Sequence, residues 1–326
     1  MQKFRLLEQK RPFTIMQGDV RCTLWLRQLE AITDFADVRA GQRGGWLEEE
    51  ELLSQSGDCW VYSQNSILYG GAWVTHNARI TGECVIGQGA IIDGNALVDS
   101  SQVTHHAHIG DQVAVRASQV SGQCQIGDVA RVSDSQVIAR RGLTAEKHQQ
   151  LRIADRASVH ASRIMHQAQI IDSALVSYAF IEHRACVSGH AVIEGNEEND
   201  VWLCDQAWVG ERARILAGRG EGQSPTLRYS SRVGGNAQIV GECLLKHRVR
   251  VEGDAVLTGG PLQLDDRVSI DGHARVTGNV LIEHRVRLTD EVSVEAWDDE
   301  TIHIHGDKTL AGSQHITRMP YYGVPG

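Results

Sequence analysis

The sequence predicts an all-β chain wound as a single-stranded parallel β-helix, a solenoid of short coils, and three observations carry that prediction. From about residue 58 a branched aliphatic returns every six residues with a small residue two places before it, as in Ala72/Val74, Ala78/Ile80, Cys84/Ile86, Ala90/Ile92 and Ala96/Val98. The positions between these pairs are rich in Gly, Asp, Asn and Ser, residue types that turn corners. Longer phrases also recur: "SQVTHHAHIGD" at 101–111, "SQVSGQCQIGD" at 118–128, and "SQV" again at 135–137, at seventeen-residue spacing.

Each hexad reads as a three-residue strand with its small and branched side chains on one face and the middle one outside. One hexad cannot bury its own apolar pair. Three of them can close a triangular coil, and stacked coils then bury a continuous stripe of Val, Ile and Ala. The aliphatics after Val98 fall at Val103, Ile109, Val115, Val120, Ile126, Val132 and Val137, so one side of each coil is a residue short. The pattern returns from Val159 to Ile193 and from Ile239 to Val294. Roughly eleven or twelve coils at about 4.8 Å each make a prism on the order of 55 Å long.

Composition agrees. In 326 residues there are 33 glycines, only 5 prolines and 5% aromatics, which suits many short strands better than two ordinary domains. The formal net charge of -9 argues against a nucleic-acid backbone or an anionic membrane as partner. "MQKFRLLEQKRPF" is no secretory leader and no apolar run reaches membrane length, so a cytoplasmic protein is expected. The seven cysteines show no paired metal spacing. Cys59, Cys84, Cys124 and Cys243 stand where alanine stands in other coils and read as small buried apolar groups.

Three regions follow. Residues 1–57 lack the hexad and are expected to cap the open apolar end of the first coil, with "RCTLWLRQLEAI" alternating like strands and "EEEELLS" starting a short helical turn. Residues 58–296 carry the coils, and 297–326 a C-terminal cap and tail, in which "TIHIHGD" sets His303 and His305 on one face. Insertions at 139–152, 194–205 and 216–231 break the coil and should leave it at corners, where a repetitive prism acquires a concave, specific site.

His105, His106 and His108 cluster closely, but no stacked histidine or carboxylate is legible beside them, and they read as solvated surface groups. Other histidines share one corner slot, four residues before the inward aliphatic. His166 and His183 are one coil apart. "KHRVRVEG", "DDRVSIDG" and "EHRVRLTD" align His247, Asp266 and His284 in one column, with Arg248, Arg267 and Arg285 beside it. Two readings stay open: a solvated ladder in which Asp266 offsets stacked cations, or a carboxylate orienting a histidine as general base. The "GQG" at 87–89 is a turn, and neither a phosphate loop nor a Ser-His-Asp set is present.

These hexads resemble those of the hexapeptide-repeat acyltransferases, and "VRAGQRGGWLEEEELLSQSGDCWVY", residues 38–62, resembles the entry segment of a member of that family. The resemblance implies a left-handed coil, against the usual right-handed crossover; periodicity cannot supply handedness. It also implies acyl transfer, with acetyl-CoA as co-substrate and a small hydroxyl or amine acceptor; no metal is expected, from the cysteine and histidine spacings themselves. In that family a corner histidine near an extruded loop deprotonates the acceptor, and the donor lies along the groove between subunits. By that criterion His183 is the first candidate base, with His166, His190 and the loop 194–205 close in sequence, and His247, Asp266 and His284 form the second set. A non-catalytic solenoid that binds or scaffolds through flat faces is the alternative. A homo-oligomer is expected, a trimer as in the family or a dimer, because Trp60, Trp73, Val85, Ile91 and Leu97 make an unusually apolar outward row.

Overall fold

The computed structural model describes residues 2–140, 149–297 and 300–319. Most of the 139–152 insertion and the tail after Met319 therefore lie outside the described residues. The chain divides into two compact units, residues 2–140 with 150–156, and residue 149 with 157–319. Among the described residues all regular elements are β-strands apart from one 3-10 turn, Glu50–Leu52. Among the described residues no helix is long and apolar enough to cross a membrane.

The first unit opens with an antiparallel hairpin of β1 (Phe4–Gln17) and β2 (Val20–Ala31), in which Phe13 faces Leu24 and Ile15 faces Cys22. Strand β3 (Arg43–Leu47) pairs antiparallel with β2 on one side and parallel with Ile67–Leu68 on the other, so it converts hairpin to coil. Gly44 and Gly45 permit this junction. A Cβ on Gly44 would stand 2.5 Å from the Val61 carbonyl oxygen, and one on Gly45 would stand 2.7 Å from that of Ser66.

Coils follow on three faces. Gln102, Gln119 and Gln136 form an exposed in-register ladder while Val103, Val120 and Val137 stack wholly buried behind it. The serine of each "SQV" closes the short corner: Ser118 Oγ donates to the Arg116 carbonyl at 2.6 Å and accepts the Ser135 backbone N–H at 3.1 Å. Ser101 bonds its neighbours in the same way, and all three serines are buried. A buried hydroxyl with both roles filled costs little, which is why one side can be a residue short. Cys59, Cys84, Cys124 and Cys243 are buried free thiols, and burial pushes Cys84 up to about 11.

One expectation is corrected. Trp60 takes the outward middle position but is 0% exposed, because Phe4 and Phe35 cover it edge-on at centroid distances of 6.4 and 5.4 Å. Val85, half-buried, packs against a cluster of Leu26, Ile67 and Tyr69 that the hairpin's Phe13, Ile15 and Leu24 also join. The chain's own N-terminal segment seals Trp60 and packs on Val85. Of the predicted row Trp73 remains exposed at 48%, with Ile91 and Leu97 half-buried.

The second unit repeats the three-faced coil. In its later turns two faces fuse into the continuous strands Val256–Asp265 and Arg275–Glu283, which run through the short corner. Ile302–His305, Thr309–Leu310 and His315–Arg318 add a further turn beyond residue 296, in register with Val280–Glu283, Arg287–Leu288 and Ser293–Ala296. His303 and His305 point outward together, as alternation predicts. The insertions 194–205 and 216–231 leave one and the same corner and pack together through Asn199, whose amide donates to the Gly220 carbonyl at 2.7 Å.

Candidate active site

The second unit carries one corner column that joins the two histidine sets seen in the sequence. Its rungs are His166, His183, Asp205, Tyr229, His247, Asp266 and His284. Each has a positive φ, between 46° and 64°. The corner demands a left-handed residue, and after glycine the types that tolerate this best are Asn, Asp and His. The backbone thus selects for groups that also do acid–base and ligand chemistry.

Neighbouring rungs touch along the column. The His166 and His183 rings stack at 4.9 Å and 18°. Asp205 Oδ1 is 4.0 Å from His183 Nδ1, and Asp205 Oδ2 accepts the Tyr229 backbone N–H at 3.1 Å. The Tyr229 ring lies on His247 at 4.1 Å and 17°. His247 Nδ1–H then donates to Asp265 Oδ1 at 2.6 Å, and His284 Nδ1–H to Asp266 Oδ2 at 3.3 Å. These last rungs line a groove of about 530 Å³ together with Arg248, Arg267 and Glu283.

Two assignments shift. Of the two histidines that flank it in the column, Asp266 bonds His284 and not His247. The partner of His247 is Asp265, which the sequence reading passed over because it is an outward strand residue on the next rung rather than a member of the corner slot. His190 does not join His183: it sits one corner further round the coil, exposed, in a separate groove with Glu211, Arg212 and Asn236. The loop 194–205 leaves a third corner, and what it sends back is Trp202, whose indole N–H donates to Glu182 Oε1 at 3.1 Å. In the first unit His108 does have a carboxylate, Asp93, with Nε2 to Oδ2 at 3.0 Å, contrary to the sequence reading. His105 Nδ1 meets the hydroxyls of Thr104 and Ser121 at 3.0 and 3.1 Å.

The only cysteine that touches the column, among the described residues, is Cys204. Burial, then the neighbouring Asp205 charge, pushes its thiol up to about 11. At neutral pH it is protonated and is no nucleophile. The column's chemistry is therefore that of imidazole and carboxylate.

Hexad coils with inward aliphatics and a corner column of histidines define the class: the chain belongs to the hexapeptide-repeat acyltransferase superfamily. Over 325 residues, 99% of this chain and 100% of the relative, it is 47% identical to the uncharacterized acetyltransferase YdcK of Escherichia coli (strain K12). No family profile matches the chain.

Proposed function

We propose that the protein transfers an acetyl group from acetyl-CoA to a small hydroxyl or amine acceptor, with His247 as general base. The observation that carries this reading is the 2.6 Å His247–Asp265 pair opening on the Tyr229–His284 groove. With Nδ1–H held by the carboxylate, the neutral ring presents its Nε2 lone pair. Nε2 takes the acceptor proton as the acceptor oxygen or nitrogen attacks the thioester carbonyl carbon. The tetrahedral intermediate then breaks its C–S bond, and the leaving thiolate recovers the proton from the imidazolium. Stacking on Tyr229 holds the ring plane during both transfers. Arg248 and Arg267 line the same groove and enter no ion pair among the described residues, so they suit the donor's phosphates. His183 ranks lower, because its nearest carboxylate oxygen is 4.0 Å away.

The test is calorimetry with acetyl-CoA, followed by thiol release against a panel of amino sugars, amino acids and polyamines. Saturable binding and turnover that falls about a hundredfold in His247→Ala, with thermal stability unchanged, is the expected result. No saturable binding at high micromolar acetyl-CoA would favour the non-catalytic scaffold instead. A homo-oligomer remains part of this proposal, resting now on Trp73 with Ile91 one rung along the same face. Light scattering of the wild type should report more than one chain, and Trp73→Glu should lower the mass; a wild-type monomer at micromolar concentration would defeat it.

A further inference from the structure

The geometry points to a divalent transition-metal site in the second unit, formed by His166, His183 and Glu182, of the kind that takes Zn²⁺, Co²⁺ or Ni²⁺. One ligand atom from each of the three residues lies within 4.8 Å of the other two. The His183 backbone N–H donates to His166 Nδ1 at 3.3 Å, so that nitrogen carries a lone pair rather than a proton. Glu182 Oε2 faces the same nitrogen at 3.8 Å. Its other oxygen is pinned by the Trp202 indole, so the carboxylate cannot turn away without losing that bond.

Two electron-pair donors thus face each other in a partly enclosed place, with the Glu182 side chain only 13% exposed. A cation between them would take the His166 Nδ1 lone pair from the 3.3 Å His183 N–H contact and convert mutual repulsion into coordination. Two borderline imidazoles and one carboxylate suit a first-row divalent ion at bonds of about 2.0–2.2 Å. The donors must close by roughly an ångström, and the His183 side chain, 51% exposed, has room to supply that movement. Asp205 Oδ1, 4.0 Å from His183 Nδ1, is placed as a fourth ligand or as the outer partner that orients the ring.

This site shares no side chain with the His247–Asp265 pair, from which His183 is three rungs away, on the order of 14 Å. Such an ion would staple successive coils, since Ile164 and Ile181 are rung partners. Binding to the folded chain alone would then raise its melting temperature. No short ligand spacing marks this set in the sequence. Here the histidines are seventeen residues apart, and the carboxylate is the residue between the Ala179–Ile181 strand and His183.

The experiment uses the full chain without a histidine tag, stripped with chelator and titrated with Zn²⁺ and separately with Co²⁺ by calorimetry. One ion per chain, a rise of several degrees in melting temperature, and visible Co²⁺ bands are the expected results. His166→Ala should abolish this event. The near-isosteric Glu182→Gln should weaken it at least tenfold while preserving the circular-dichroism spectrum. His190→Ala and His303→Ala should leave it intact. Absence of saturable binding for both ions would overturn the proposal, and so would stoichiometric binding that survives both His166→Ala and Glu182→Gln.

Discussion

Val120→Ala removes two methyl groups from the middle of a dry stack, with Val103 and Val137 as its rung neighbours. All three are 0% exposed. Losing the transfer energy of two carbon groups costs about 1.6 kcal/mol. The coil is hydrogen-bonded above and below and cannot collapse far, so most of the vacated space, on the order of 40 Å³, persists and adds about 1 kcal/mol. The expected cost is about 2.5 kcal/mol. Gln119→Ala, one residue away on the exposed ladder, should stay within about 0.5 kcal/mol. Val120→Asp should cost several kcal/mol, since an unpaired ion would enter the stripe. Urea unfolding followed by circular dichroism gives the midpoints, and hydrogen exchange at the Val103 and Val137 amides localises the loss. A Val120→Ala protein indistinguishable from wild type, or a Gln119→Ala protein equally damaged, would refute the assignment of inside and outside.

Trp60→Ala should cost about 3–5 kcal/mol by emptying the pocket between Phe4 and Phe35; an unchanged urea midpoint would show that the hairpin does not seal the first coil. Tyr62 donates to Asp37 Oδ1 at 2.5 Å, and Arg79 holds the other Asp37 oxygen at 2.7 Å. Burial, then this bond, pushes Tyr62 up to about 12, above its unfolded value near 10, so its contribution is complete below pH 10 and is lost as pH rises toward 12. The same bond holds Asp37 below the usual carboxylate range, so that contribution is present above about pH 4 and disappears as pH falls through the lower folded value. Melting curves of wild type and Tyr62→Phe should therefore differ by a constant amount from about pH 5 to 10 and converge at both extremes; a gap that stays constant from pH 10 to 12 would contradict this. Asp265→Asn should lower turnover tenfold or more by freeing the His247 ring, whereas Asp266→Asn, which touches His284, should leave it nearly unchanged. Equal losses in the two variants would mean that the column acts as a unit.

The period of six, the short side of the coil and the inward face were legible in the chain because each depends on residues within one or two hexads of each other. Burial then leaves little choice: slipping Val103 or Val120 by one residue would expose the stripe and bury glutamines. The corner histidines were legible for the same local reason, since the slot repeats wherever coils follow without interruption. Partners were not. The insertions stretch the rung from His183 to Asp205 to twenty-two residues and that from Asp205 to Tyr229 to twenty-four, which hid the continuity of the column from any fixed spacing. Asp265 ends a strand and Glu182 follows Ile181 just past one; Asp265 meets His247, and Glu182 meets His166, across a rung, so which carboxylate serves which ring is decided by register. His190 stands near His183 in sequence, yet the coil turns a corner between them. And nothing in the hexads says where a fourteen-residue strand such as Phe4–Gln17 will lie. That Trp60 is sealed rather than offered to a partner was decided by the hairpin folding back over the outer face, a contact between segments more than fifty residues apart, such as Phe4 and Trp60.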